Sequence, residues 1–231
     1  MLFCIVNFNT TILTTCACAS IVKNHPDAKF VIFDNSDKVP FGNLGLFDIT
    51  YIDNTKGQII NFENELNKYP DRTVVQQMMT GKINFGSAKH SMTIQWLLDN
   101  LDKDFILCDS DILLKRPIDF VDKTKVCVSD IDEKHRDKDI YRSLPFIAYM
   151  NTPLIRKKNL RYFDGNRMHA LTRGRGFWYD TGAAFYENIL NCDRHLFKRI
   201  NFNKYVIHFK AGSWKDFDNN LLLKYIDLWK I

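Results

Sequence analysis

The sequence predicts an α/β fold: a mixed, mainly parallel central sheet flanked by helices. Three observations carry this. Short apolar runs recur at 2–6, 30–33 and 49–52 (LFCIV, FVIF, ITYI) and read as strands. A helix-length stretch separates the first two, which makes a strand–helix–strand unit. The 231 residues suit one α/β domain, and 45% hydrophobic content with 18 Phe supplies a real core.

Each element has a local reason. Thr10 or Thr11 is placed to cap a helix running to about Asn24 and ending before Pro26. FVIF closes on Asp34-Asn35-Ser36-Asp37, which are turn residues. Residues 61–80 read as two helical pieces broken at Pro70, and Ser87 then caps an amphipathic helix carrying Met92, Trp96, Leu97 and Leu101 on one face. That helix delivers the chain to the strand of DFILCDSD (104–111). VCVSDID (126–132) is a further strand ending in acids, and PFIAYMNTPLI reads as a strand and a turn. WYDTGAAFYENIL reads as a turn leading into a helix, and YVIHF (205–209) as a strand. The chain closes on an amphipathic helix with Leu222, Tyr225, Ile226 and Trp229 on one face. There is no internal repeat.

Composition narrows the function classes. A net charge of +5 is a mild basic excess. It fits an anionic small ligand or peripheral contact with an anionic membrane surface, and no long basic run supports nucleic-acid binding. Arg156-Lys157-Lys158 with Arg161 is the densest basic cluster and reads as a solvated face. The six Cys show no CxxC pair, and Cys4, Cys108 and Cys127 sit in apolar runs. They read as reduced, cytosolic thiols. Cys16 and Cys18 point in different directions on a helix, as packing residues do. No apolar run reaches the ~20 residues of a membrane span. The first residues lack the basic start of a signal peptide, so a cytoplasmic location is expected.

The chemistry concentrates at Asp109 and Asp111. In open α/β sheets ligands bind at the carboxyl ends of strands. At two-residue spacing in an extended chain both carboxylates point to one side. Their repulsion is relieved by a divalent cation, and oxygen ligands suit magnesium or manganese shared with a substrate diphosphate. A solvated turn after the strand is the plain alternative.

Taken in order, several stretches resemble the glycosyltransferases of the GT-A fold, which use nucleotide sugars. IVNFNTTILTTCACASI followed by FVIFDNSD looks like the start of family 2-like transferases. NFGSAKH (84–90) is similar to the next segment of that pattern, and DSD matches the DxD motif. YDTG (179–182) resembles the acceptor-side Asp-x-Gly segment. IHFKAGSW (207–214) resembles the late His-containing segment of metal-dependent, family 8-like enzymes, with Gly212-Ser213-Trp214 in place of Lys-Pro-Trp.

The resemblance implies roles. Asp111 would ligate the metal, with Asp109 contacting it through water or holding the ribose, and His208 would complete the site. Ser110, Lys210, Gly212, Ser213 and Trp214 would contact the donor, the last four around its diphosphate. Asp34 would accept a hydrogen bond from the base, with Asn7 lining the same pocket; an Asx-turn is the local reading of Asp34. Lys89 and His90, near a helix start, would meet the diphosphate or sugar. Asp180, flanked by Trp178 and Tyr179, would act as general base in an inverting enzyme or orient the sugar in a retaining one; locally it is an N-cap. Asp130 and Asp132 open an acid-rich stretch that reads as a mobile, solvated loop.

The expectation is thus one catalytic domain, with about 1–115 binding the nucleotide sugar and about 116–231 the acceptor. Its activity would be metal-dependent transfer of a sugar, a hexose, from a UDP-sugar to a glycan or lipid-linked glycan. Two alternatives remain. One is a nucleotidyltransferase of sugar phosphates, although NFNTT stands where such enzymes carry a Gly- and basic-rich loop. The other is an inactive nucleotide- or glycan-binding module.

Overall fold

The computed structural model describes residues 1–42, 44–68, 85–132, 141–164 and 181–209. The first half runs β1 (Leu2–Asn7), α1 (Thr11–Asn24), β2 (Lys29–Asp34), β3 (Ile49–Asp53), α2 (Phe62–Asn67), α3 (Phe85–Asn100), β4 (Phe105–Asp109) and β5 (Ile112–Leu114). The second half runs β6 (Cys127–Ser129), β7 (Ile131–Asp132), β8 (Arg142–Ser143), β9 (Ile147–Met150), α4 (Thr152–Lys157), α5 (Ala183–Asp193), β10 (Phe197–Arg199) and β11 (Val206–His208).

Seven strands form the main sheet in the order β10-β6-β9-β4-β1-β2-β3. Every pairing is parallel except the two made by β9. The expected mixed, mainly parallel sheet is therefore the observed one. β1 pairs with β2 on one side and β4 on the other, so strand order reverses there. Open α/β sheets bind ligands at such a reversal, outside the carboxyl ends of the strands. Val6 is in register with Asp109, which puts the DxD motif at that point.

Two apolar layers cover the sheet. On one face Ala17, Cys18 and Ile21 of α1 pack with Phe3, Ile5, Phe30 and Ile32. On the other, Ile94, Leu97 and Leu98 of α3, Ile155 of α4, and Phe185 and Ile189 of α5 pack on Cys4, Val31, Phe33 and Leu107. Strands covered on both faces have no polar face to show, which is why β1, β2 and β4 read as apolar runs.

Several elements differ from expectation. Thr10 occupies the N-cap of α1 without a side-chain capping bond. Its hydroxyl donates instead to Asn7 Oδ1 at 3.0 Å. Ser87 lies inside α3, which already begins at Phe85. VCVSDID breaks into β6, in the main sheet, and β7, which pairs with β8 in a separate ribbon. Residues after Asn151 form α4 rather than a turn, because the Asn151 side chain accepts from Leu154 N–H and Pro153 fits the first helical turn. The expected helical piece after Pro70 and the C-terminal helix lie outside the described residues. Among the described residues, no helix is long and apolar enough to cross a membrane.

Candidate active site

The site is assembled by two short ladders meeting at the DxD motif. β4 ends at Asp109, Ser110 makes the turn, and β5 starts at Ile112. β5 pairs antiparallel with β11, His208 opposite Ile112. The ladder continues one step further, where Phe209 N–H donates to the Asp111 carbonyl at 2.9 Å. The outer side of β5 is fixed by α1: Ser20 Oγ accepts from Leu114 N–H and Asn24 Nδ2 donates to Leu114 O. His208 and Asp111 thus sit side by side, and β5 is held on both edges, by β11 and by α1.

His208 Nε2 lies 3.2 Å from Asp111 Oδ1 and 3.9 Å from Asp109 Oδ2. One ligand atom from each of Asp109, Asp111 and His208 falls within 4.8 Å of the others, a group that could hold a metal ion. Asp111 and Ser110 are buried. A second imidazole, His90 of α3, stands 3.8 Å from Asp109 Oδ1. The two oxygens of Asp109 therefore face different histidines.

Lys89 and His90 lie one turn into α3, near its start as expected. Lys89 Nζ sits near the rings of Phe8, which follows β1, and Phe62, in α2, at 5.9 and 5.6 Å. Both neighbours are cation–π contacts that hold the ammonium at the sheet's carboxyl end.

Asp34 and Asn7 are tied into one buried hydrogen-bond network. Each is 0% exposed. Asp34 Oδ1 accepts from Asn7 Nδ2, Ser36 N–H and Ser36 Oγ, while Oδ2 accepts from Phe41 N–H and Tyr51 OH. Asn7 Oδ1 accepts from Thr10 and Thr14. Neither side chain has exposed surface. They pin the loop after β2 to the start of α1, and the Ser36 bond is the Asx-turn read locally.

The second acidic pair is also not a solvated loop in its described part. Asp130 is buried, pairs with Arg199 Nε at 3.2 Å and accepts from Phe202 N–H at 3.0 Å. Asp132 pairs with Arg142 at 3.2 Å. The basic cluster is likewise partly engaged. Arg156 donates to the carbonyls of Leu98 and Leu101 and to Asp102, closing the C-terminal end of α3, and Arg161 reaches Asp99.

Asp180, Lys210, Gly212, Ser213 and Trp214 lie outside the described residues. The N-cap of α5 is Gly182, with φ +88°, rather than Asp180. A residue the sequence did not flag is Phe146, at the head of β9. Its carbonyl accepts from Asp109 N–H, and its ring stacks on His208 with centroids 3.8 Å apart. PFIAYM reads as an ordinary strand, so nothing in the sequence marks it.

No family model matches the sequence, and no curated protein matches it. Solved structures do. The galactosyltransferase LgtC, in complex with donor and acceptor sugar analogs, superposes with a TM-score of 0.55 at 13% identity, covering 87% of this chain and 74% of LgtC. An active-site mutant of LgtC gives 0.52 at 15% identity, covering 87% and 73%. The bifunctional glycosyltransferase WbbM gives 0.51 at 10% identity, covering 87% of this chain and 39% of that one. At such identities the likeness shows the fold, and the fold is the GT-A type of glycosyltransferases.

Proposed function

We propose that this protein is a metal-dependent glycosyltransferase that moves a hexose from a UDP-sugar to a hydroxyl of a glycan. The observation that carries the reading is the Asp109–Asp111–His208 cluster at the strand-order reversal of a GT-A fold. LgtC holds donor and acceptor sugar analogs in this fold. We extend that pairing of ligands to this chain.

The donor set fits a divalent ion. Two carboxylates are hard ligands, and the single imidazole suits manganese better than magnesium. Asp111 and His208 would hold the ion directly, with Asp109 contacting it through water or holding the ribose. When bound, the ion neutralises charge developing on the departing diphosphate.

The chain's own groups do the rest. Burial of Asp111 keeps water from competing for its carboxylate. Lys89, steadied between Phe8 and Phe62, presents a positive charge at the mouth of the site. Ser110, His90, Lys210, Gly212, Ser213 and Trp214 complete the donor contacts in this proposal. Asp180, just ahead of Gly182, orients the acceptor hydroxyl or takes its proton. The acceptor, a glycan or a lipid-linked glycan, lies over 141–186.

A donor-hydrolysis screen tests the proposal. With manganese present, one UDP-sugar is expected to release UDP, and Asp111→Ala is expected to abolish the release. Absence of turnover with every nucleotide sugar, with and without glycan acceptors, contradicts it.

A further inference from the structure

Asp109 and His208 come from different sheets. Asp109 ends β4 of the seven-stranded sheet, and His208 ends β11 of the two-stranded ladder with β5. Nothing in the backbone pairing of one sheet fixes the side-chain angle of a residue in the other. Phe146 touches both. The β4–β9 register places Ile147 opposite Cys108, so Phe146 falls beside Asp109, and its carbonyl accepts the Asp109 N–H at 3.3 Å. Its ring lies against the imidazole of His208, centroids 3.8 Å apart and planes 23° apart.

A face-to-face stack constrains an imidazole in a useful way. It occupies the π face and leaves the in-plane nitrogen lone pairs free. It also stops rotation about the ring bond, so Nε2 stays directed at Asp111 Oδ1, 3.2 Å away. Phe146 is itself braced. Phe202 meets it edge-on at 5.1 Å. Phe202 is held in turn by its N–H bond to Asp130 Oδ2, and Asp130 is held by Arg199. The buried acid that reads from sequence as part of a solvated loop is the foot of this column.

We propose that Phe146 is a positioning residue that sets the His208 ring toward the Asp109–Asp111 pair, with Phe202 and Asp130 as its support. The proposal rests on the metal-site reading above. Metal ligands whose orientation is fixed by neighbours bind tighter, and loss of such a neighbour costs roughly 10–100-fold in metal affinity.

The test is titration of the full chain with manganese alone, followed by electron paramagnetic resonance, in wild type, Phe146→Leu, Phe146→Tyr, Phe202→Leu and Asp111→Ala. Phe146→Leu is expected to weaken manganese binding by about tenfold or more, with little change in melting temperature. Phe146→Tyr keeps the stack and is expected to bind as wild type. Phe202→Leu removes only the brace and is expected to fall between them, and it serves as the second variant should Phe146→Leu fold poorly. In the metal-free protein, the His208 ring-proton resonance is expected to lose its ring-current shift in Phe146→Leu. Wild-type affinity in Phe146→Leu overturns the positioning role and leaves the metal site standing. Failure of the wild type to bind manganese, or wild-type binding by Asp111→Ala, overturns the site itself and the positioning role with it.

Discussion

His208 Nε2 stands 3.2 Å from Asp111 Oδ1 because the two residues hang on neighbouring strands of one short ladder, with His208 opposite Ile112 and Phe209 N–H bonded to the Asp111 carbonyl. The backbone therefore sets the two residues side by side, and the ring's orientation does the rest. His208→Ala and Asp111→Ala should each leave the fold intact and remove a proposed metal ligand. Loss of an outer-shell partner already costs about 10–100-fold, so each change is expected to lower metal-dependent turnover at least about a hundredfold. Steady-state kinetics beside a circular dichroism spectrum checks this.

Asp34 is expected to matter for stability. Asp34→Ala removes the acceptor of Phe41 N–H, Ser36 N–H and Tyr51 OH, and one of the two acceptors of the Asn7 amide. At about 1–3 kcal/mol for each unsatisfied buried group, the loss should be about 3 kcal/mol or more. Tyr51→Phe removes one bond from the same carboxylate and should cost about 1 kcal/mol. Denaturant unfolding of both variants orders them, and equal stability of Asp34→Ala and wild type contradicts the assignment.

Gly182 caps α5 with φ +88°, and a Cβ there would lie 2.0 Å from the Ser143 carbonyl oxygen. The obstacle is backbone, which cannot swing aside. Gly182→Ala should destabilise by about 3 kcal/mol, a strain effect at a special backbone angle. A melting temperature within a degree of wild type would falsify this.

Thiol chemistry separates one cysteine from five. Cys4, Cys16, Cys18, Cys108 and Cys127 are buried, and burial raises the pKa of each, to about 12 for Cys18 and Cys127. Cys192 is exposed. Since the thiolate reacts, a disulfide reagent at pH 8 should titrate one thiol rapidly in the native protein and six after unfolding. Rapid modification of two or more in the native state contradicts the burial.

His25 gives the pH dependence a sign. Its Nε2 accepts the Ile118 N–H at 2.9 Å, so that nitrogen must be unprotonated. Burial first, then the positive N-terminus, lowers its pKa. The unfolded chain thus takes up the proton at higher pH than the folded one. The contribution is complete above about pH 6.5 and is lost as pH falls through the folded pKa. Melting temperature should fall more steeply from pH 7 to 5 in wild type than in His25→Gln. Parallel curves contradict the linkage.

The fold was legible where strands are covered on both faces. LFCIV, FVIF and FILC announce β1, β2 and β4 because nothing polar interrupts them, and Asp109 and Asp111 stand out against that background. Capping was less legible. Thr10 and Ser87 have the right chemistry for N-caps, but Asn7 takes the Thr10 hydroxyl and α3 starts earlier. The burial of Asp34 and Asp130 was not legible, for a common reason. A buried carboxylate and a solvated one look alike in sequence, and what separates them is a donor far along the chain: Tyr51 for one, Arg199 and Phe202 for the other. Phe146 could not be found this way, since its importance lies in a stack with His208 that only the tertiary structure creates.

The most direct test of the account is calorimetric titration of UDP, GDP and CDP into the wild type and Asp111→Ala, with and without manganese. The account predicts that UDP binds the wild type only when manganese is present, and that Asp111→Ala removes the binding. Equal UDP affinity with and without metal, or no binding of any nucleotide with manganese present, contradicts it.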